Sequence, residues 1–307
     1  MQKMMISCGE KERGVRIDRY LTDRLDGQSR SSIQKLIEEE EILVNGSPCK
    51  AGYKLSSDDK ISVCIPDPIE PEILPENIPL DILYEDDQVL VVNKPKGMVV
   101  HPGPGHSTQT LVNAILYHCK GSLSGINGMV RPGIVHRIDM NTTGSLIVCK
   151  TDYAHRMIAD QIKNHTGRRI YRAIVYGYMN PEDGTIDTVI GRDPRDRKKM
   201  AVGVRNGRRA ITHYHELARL KNQFSYVEFQ LETGRTHQIR VHMASIGHPI
   251  LGDDVYGPAR CPYRLTGQTL HAMTIGFIHP TSGDYMEFSA PLPAYFRKLL
   301  DRLSPSD

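Results

Sequence analysis

Five prolines, Pro66, Pro68, Pro71, Pro75 and Pro79, stand among acidic residues in one short stretch. Each proline lacks a backbone donor and clashes with the preceding helical turn, so this stretch predicts an extended, semi-rigid connector rather than a helix. The chain is therefore expected to fold as two bodies, a small one over residues 13–65 and a large one over 81–300, joined by a connector at 66–80. With 307 residues and 39% hydrophobic content, it can bury one large core and one small one.

In the first body Ile17, Leu21 and Leu25 recur at helical spacing, and Ser29 can cap a second helix carrying Ile33, Leu36 and Ile37 on one face. Ile42–Val44 reads as a strand entering a tight Asn45-Gly46 hairpin turn, with Lys60–Ile65 as a later strand. This unit resembles the small α/β RNA-binding domain named after ribosomal protein S-four, through Arg16–Leu21, Ser29–Ile37 and Val44-Asn45-Gly46. The resemblance makes Arg19, Arg30 and Lys35 the candidates for RNA phosphate contact; as surface solubilisers they would need no partner. The chain departs from that family at Glu40, where a glycine is usual. Either Glu40 carries about 1 kcal/mol of left-handed strain, or the helix runs longer and the hairpin reorients.

In the second body Asp87–Asn93, Arg169–Met179, Ala210–Leu220 and Ser225–Thr233 read as strands. Thr110–Tyr117 reads as a short helix, and two more are expected from Thr151 or Asp152 with Met157, Ile158 and Ile162, and from Thr236 toward Gly247. Strands in runs with interspersed helices predict an α+β fold around a mainly antiparallel sheet flanked by helices. Between two apolar, strand-like stretches lies a polar turn, Asp139-Met140-Asn141-Thr142-Thr143-Gly144, that presents Asp139. Beside Arg137, and with a second arginine available in Gly234-Arg235-Thr236-His237, such a carboxylate can stay ionised and act as a nucleophile. The plainer alternative is an Asx-type turn bonding its own backbone. A helical calcium loop is excluded, because its twelfth place holds Lys150 instead of glutamate.

The segment His136-Arg137-Ile138-Asp139 with its Thr-Thr-Gly turn resembles the signature of the RluA-type pseudouridine synthases, with Ile138 for leucine and Thr143 for serine. The likeness continues in Val91–Gly103, Tyr171-Arg172-Ala173, Glu232–Arg240 and Leu270-His271-Ala272. It implies an RNA-modifying isomerase with Asp139 as nucleophile, Arg235 paired to Asp139, and Tyr171 stacked on an extruded uracil and assisting removal of its C5 proton. Read from its strand alone, Tyr171 is a core residue. The extrusion follows from the chemistry, since the reacting bond is inaccessible inside a stacked helix. Arg137 is placed to occupy the vacated site, and His101 and His136 either line the cleft or sit buried and hydrogen-bonded. The implied partner is RNA, with large-subunit ribosomal RNA or a precursor of that subunit as the expected target and transfer RNA open within the same chemistry. An isomerisation of this kind needs no cofactor.

Net charge is only +3, but residues 192–209 hold eight basic side chains, Lys198 and Lys199 among them, against two acids. That loop is expected to touch phosphates, with a solvated hairpin as the alternative. Six cysteines without Cys-x-x-Cys spacing, and histidines without metalloprotease spacing, point to neither disulfides nor zinc. The Gly103-Pro104-Gly105 stretch lacks the lysine of a nucleotide loop. With neither a signal-like start nor an apolar span, a cytoplasmic protein without membrane contact is expected. Two other classes stay open: an RNA-binding assembly factor, which would not require Asp139, Tyr171 and Arg235 together, and a carboxylate-pair glycoside hydrolase, which needs a second acid.

Overall fold

The structure, a computed structural model, describes residues 2–66, 73–103, 105–120, 122–126, 131–196 and 198–305. The chain forms two compact units, Met1–Pro71 and Glu72–Asp307. Much of the proline-rich connector, residues 67–72, lies outside the described residues, as do Pro104 and Arg197.

The first unit contains β1 (Gln2–Ser7), α1 (Ile17–Arg24), α2 (Arg30–Glu38), β2 (Ile42–Val44), β3 (Ser47–Pro48) and β4 (Lys60–Ile65). Its sheet runs β1-β4-β2-β3, antiparallel throughout. The apolar stripes Ile17, Tyr20 and Leu21 of α1, and Ile33, Leu36 and Ile37 of α2, close over Ile42, Val44, Ile61 and Val63. Ser29 caps α2, its hydroxyl accepting the Ser32 N–H at 3.2 Å. The hairpin turn puts Asn45 and Gly46 at φ 52° and 75°, the two positive values that a two-residue turn of this hand requires. Glu40 stands at φ 59°, so the first alternative holds: the helix ends on a left-handed residue carrying a Cβ. Strand β1 has no signal in the sequence; it pairs along all of β4.

The second unit holds β5 (Ile82–Glu85), β6 (Val89–Lys94), α3 (Leu111–Cys119), β7 (Thr143–Cys149), α4 (Asp152–Lys163), β8 (Arg168–Tyr176) and β9 (Asp183–Arg192). It continues through β10 (Met200–Val202), β11 (Arg208–Leu220), β12 (Phe224–Leu231), α5 (Gln238–Ser245), β13 (Leu270–Ile278), β14 (Tyr285–Ser289) and α6 (Ala294–Leu303). The sheet order is β10-β9-β11-β12-β8-β13-β7-β6-β5, with β14 also on β13. Among the described strands, only β13 and β7 run parallel. The fold is α+β on a mainly antiparallel sheet.

The sheet is covered on both faces, which is why its inner strands read as continuous apolar runs. Leu90, Val92, Leu146, Val148, Tyr171 and Ala173 pack with α3 and α5 on one face. Alternate residues Val89, Val91, Ile147 and Cys149 pack with α4 on the other, where Ile174 meets α6. Met157, expected on the apolar stripe of α4, is instead 40% exposed. Residues 73–80 have no regular structure, yet Ile73 is buried in the core and the Glu76 N–H donates to the Asn113 carbonyl of α3.

Candidate active site

Asp139 sits in the last turn before β7, where the Thr142 N–H donates to its carbonyl at 3.0 Å. The stretch before it is not a strand: residues 133–138 are irregular, tied to β7 by a single bridge from Ile134 to Val148. His136 pins this stretch, its Nε2 accepting the Ile147 N–H at 3.0 Å. Burial, reinforced by Arg169, holds the His136 ring down to about 3 and therefore neutral. His136 lines the cleft but anchors a loop, so it is not a cationic RNA contact. Gly144 has φ 112°, and a Cβ there would fall on the Ala272 backbone, so the signature glycine is what lets β7 run beside β13.

Two further groups fix the turn and its charge. Lys94, fully buried at the end of β6, donates to the carbonyls of Pro95, Met98 and Met140 at 2.9, 2.8 and 3.0 Å. Burial pulls its amine down to about 7, and the Asp139 charge opposes this. The carboxylate itself is held by Arg240 on the first turns of α5: Nη1 donates to Asp139 Oδ2 at 2.9 Å. The remaining guanidinium edge binds Asp253 twice, Nε to Oδ2 at 2.7 Å and Nη2 to Oδ1 at 2.9 Å. The Asp253 side chain is wholly buried and that of Asp139 is 19% exposed. Burial acts against both charges of the Arg240–Asp253 pair, and their mutual bonds override it, so Arg240 is raised and Asp253 lowered.

Tyr256 covers this pair, its ring centre 5.2 Å from the Arg240 guanidinium carbon. Its hydroxyl accepts the Met200 N–H at 2.8 Å and lies 2.8 Å from His237 Nδ1. With that hydroxyl donating to Nδ1, the imidazole carries its proton on Nε2, which is 3.8 Å from Asp139 Oδ1. Burial lowers the His237 pKa against the pull of Asp139, consistent with a neutral ring. His237 adopts φ 57° just before α5, a left-handed residue held at the site.

The expected Asp139–Arg235 pair does not form. The helix begins at Gln238, so Arg235 lies in the preceding loop, its Nε donating to the Arg209 carbonyl at 3.0 Å, and Arg240 takes the place expected for it. Arg235 still lines the cleft, as do Tyr171 and Arg137. Tyr171 is buried on the α5 face of β8, and burial together with the Asp139 charge raises its hydroxyl pKa. His101 is buried and does not line the cleft; burial, with Arg131 and Arg137 nearby, brings it down to about 4.

The cleft has a volume of about 710 Å³. Its walls carry seven cationic side chains, Arg131, Arg137, Lys163, Arg169, Arg208, Arg235 and Arg240, and Asp139 is the one acid among the described lining residues. A two-carboxylate hydrolase would need a second acid across the scissile bond, and none of the described residues lining this cleft supplies one. Glu232, the other acid in the signature blocks, is paired with His213 at 2.7 Å.

The other expected RNA contacts divide. Lys198 is exposed and Lys199 half-buried on the β9–β10 hairpin, whose far strand reaches the site through the Met200–Tyr256 bond. In the first unit Arg19 is exposed and Lys35 lies 3.5 Å from Glu39. Arg30 is committed to the fully buried Asp18 at 2.8 Å, which also binds Arg16 and Gln34. Arg240, Asp253, Tyr256, His237 and Lys94 were not singled out from sequence. The available signals were the position of Arg240 inside the helix and the acid in Gly252-Asp253-Asp254-Val255-Tyr256-Gly257.

Residues 88–245 match the family model of the RNA pseudouridylate synthases, and residues 15–61 match the S4 domain. A Bacillus subtilis protein named as an uncharacterised RNA pseudouridine synthase is 50% identical over 303 residues, 99% of both chains. The ribosomal large subunit pseudouridine synthase D of Zymomonas mobilis is 44% identical, covering 100% of this chain and 99% of its own. The solved human RNA pseudouridylate synthase domain containing 1 superposes with a TM-score of 0.61 at 26% identity, covering 78% of this chain and 92% of its own. The chain belongs to the RNA pseudouridine synthase family and is an isomerase acting on RNA, with an S4 RNA-binding domain at its amino-terminal end.

Proposed function

We propose that Asp139 is the nucleophile of this enzyme, acting on a uridine turned out of its stack, and that the substrate is large-subunit ribosomal RNA. One observation carries the first part: the sole carboxylate among the described residues lining a cation-walled cleft is held by Arg240 and left partly open on the cleft side. Arg240 is itself fixed by Asp253, so the ionised carboxylate is oriented before substrate arrives.

An oxygen of Asp139 bonds transiently to the uridine and the glycosidic C–N bond breaks. The detached base turns, and its C5 bonds to the sugar carbon as the bond to Asp139 breaks. The C5 proton is then lost, with Tyr171 placed to assist, and N1 takes up a proton, with no net change in oxidation state. Arg137, exposed at the cleft, is positioned to fill the gap left by the extruded base. Lys198 and Lys199 on the β9–β10 hairpin, and Arg19 and Lys35 of the S4 domain, supply phosphate contacts.

The choice of ribosomal RNA is supported by the full-length likeness to large-subunit synthases, and a cytoplasmic location is inferred from that substrate. Asp139→Asn is expected to abolish pseudouridine formation with RNA affinity within a few-fold of wild type; residual turnover near wild type sinks the nucleophile. Mapping pseudouridines in cells lacking the protein tests the target. Loss from large-subunit RNA is expected, and loss confined to transfer RNA overturns it.

A further inference from the structure

Two buried guanidinium groups line the cleft, Arg169 and Arg240, and among the described residues only Arg240 is paired with carboxylates. Arg169 is 7% exposed, and among the described residues its side chain makes one hydrogen bond, from Nη2 to the Glu232 main-chain carbonyl at 2.6 Å. No carboxylate among the described residues pairs with it. The titratable groups that feel it are Tyr171, Arg235 and His136, none of them anionic here. Buried guanidinium groups are ordinarily matched by acids, as Arg240 is matched by Asp253. Burial and the Arg235 charge both work against the Arg169 cation, so the folded protein bears a cost that a bound anion would remove.

Its placement identifies the anion. Arg169 and Tyr171 are two residues apart on β8, so they project from the same face of the sheet, about 6.6 Å apart along the strand. Both line the cleft that contains Asp139. The loop opposite makes room: a Cβ on Gly234 would lie 2.8 Å from Arg169 Nη1, so glycine at 234 leaves the guanidinium its position. We propose that Arg169 is the receptor for a phosphodiester of the substrate strand flanking the target uridine, closing its charge only when RNA occupies the cleft. This rests on the reading that the target nucleotide enters beside Asp139 and Tyr171, and it adds the group that reads the backbone there.

The test measures RNA binding rather than turnover, so its failure is separable from failure of the Asp139 assignment. Each phosphate contact to a single strand contributes about 0.7 to the slope of log affinity against log salt. For Arg169→Gln the slope is expected to flatten by that amount, so a fourfold rise in salt weakens the variant about 2.6-fold less than wild type. Arg169→Lys keeps the wild-type slope. Substrate carrying one neutral methylphosphonate beside the target uridine is expected to bind wild type several-fold more weakly, with no such loss on Arg169→Gln. If Arg169→Gln fails to fold, Gly234→Ala displaces the guanidinium with the charge retained, and the methylphosphonate penalty is expected to vanish there too. An unchanged slope in folded Arg169→Gln, or a methylphosphonate penalty that persists in either variant, makes Arg169 a structural residue and overturns the proposal.

Discussion

Replacing Arg240 by Gln should separate what the guanidinium does for stability from what it does for Asp139. The substitution removes three charge-assisted bonds at once, two to Asp253 and one to Asp139. Asp253 is left wholly buried with its backbone donors from Val255 and Tyr256 and no cation. Removing one partner of a buried pair costs about 3–5 kcal/mol, a large part of the total stability of a domain. The pH dependence follows from the sign of the shift. In the wild type the Asp253 pKa is lowered, so its stabilisation is present above the unfolded carboxylate value, near 4, and is lost as pH falls below it. In the variant burial acts without the cation and raises the Asp253 pKa, so the folded state is penalised at pH 7 and relieved by protonation on acidification. The stability gap between wild type and Arg240→Gln is therefore expected to be about 3–5 kcal/mol at pH 7 and to shrink toward pH 4.5. Urea unfolding followed by circular dichroism suits a chain with no tryptophan. If Asp139 acts as proposed, turnover should fall at least about 100-fold, since an unheld carboxylate strays from its position. A gap below about 1 kcal/mol at pH 7, or one that widens on acidification, would refute the argument that Asp253 and Asp139 share one buried cation.

Tyr171→Phe keeps the ring that would stack on the base and loses the hydroxyl; turnover should drop about 100-fold with RNA affinity within a few-fold, read by single-turnover assay and filter binding. A fall in affinity with turnover intact would assign the hydroxyl to binding instead. Asp18→Asn removes the anion that gathers Arg16, Arg30 and Gln34, and should destabilise the amino-terminal unit by on the order of 2 kcal/mol at pH 7. The Asp18 pKa is lowered, chiefly by the Arg16 bond, so this contribution should fade as pH drops through the carboxylate range.

The distribution of what the sequence disclosed has a physical cause. Elements with their own local signal were placed within a few residues: Ser29 and Thr110 cap their helices, Asn45-Gly46 turns its hairpin, and β4 matches residue for residue. Strand β1 lacks such a signal, because its pairing with β4 is a property of two distant segments. The apolar stretch before Asp139 was misread for a related reason. Burial alone makes a run apolar, and here a buried irregular segment is held by the His136 nitrogen and one bridge rather than by a ladder.

The same reasoning explains the exchange of Arg235 for Arg240, five residues apart in one signature block. A sequence assigns a residue type to a neighbourhood, but which of two arginines reaches Asp139 depends on where the helix starts. A start at Thr236 would put Arg240 on the helix and Arg235 immediately before its first turn. The actual start at Gln238, after a left-handed His237, leaves Arg235 in a loop bonded to β11 and turns Arg240 inward between two carboxylates. That start rests on long-range contacts: Gln238 accepts the Arg235 N–H and donates to the Ile211 carbonyl and the Thr212 hydroxyl on β11. Asp139 was legible because its turn is local, whereas its cation was not, because the sheet decides which arginine faces it.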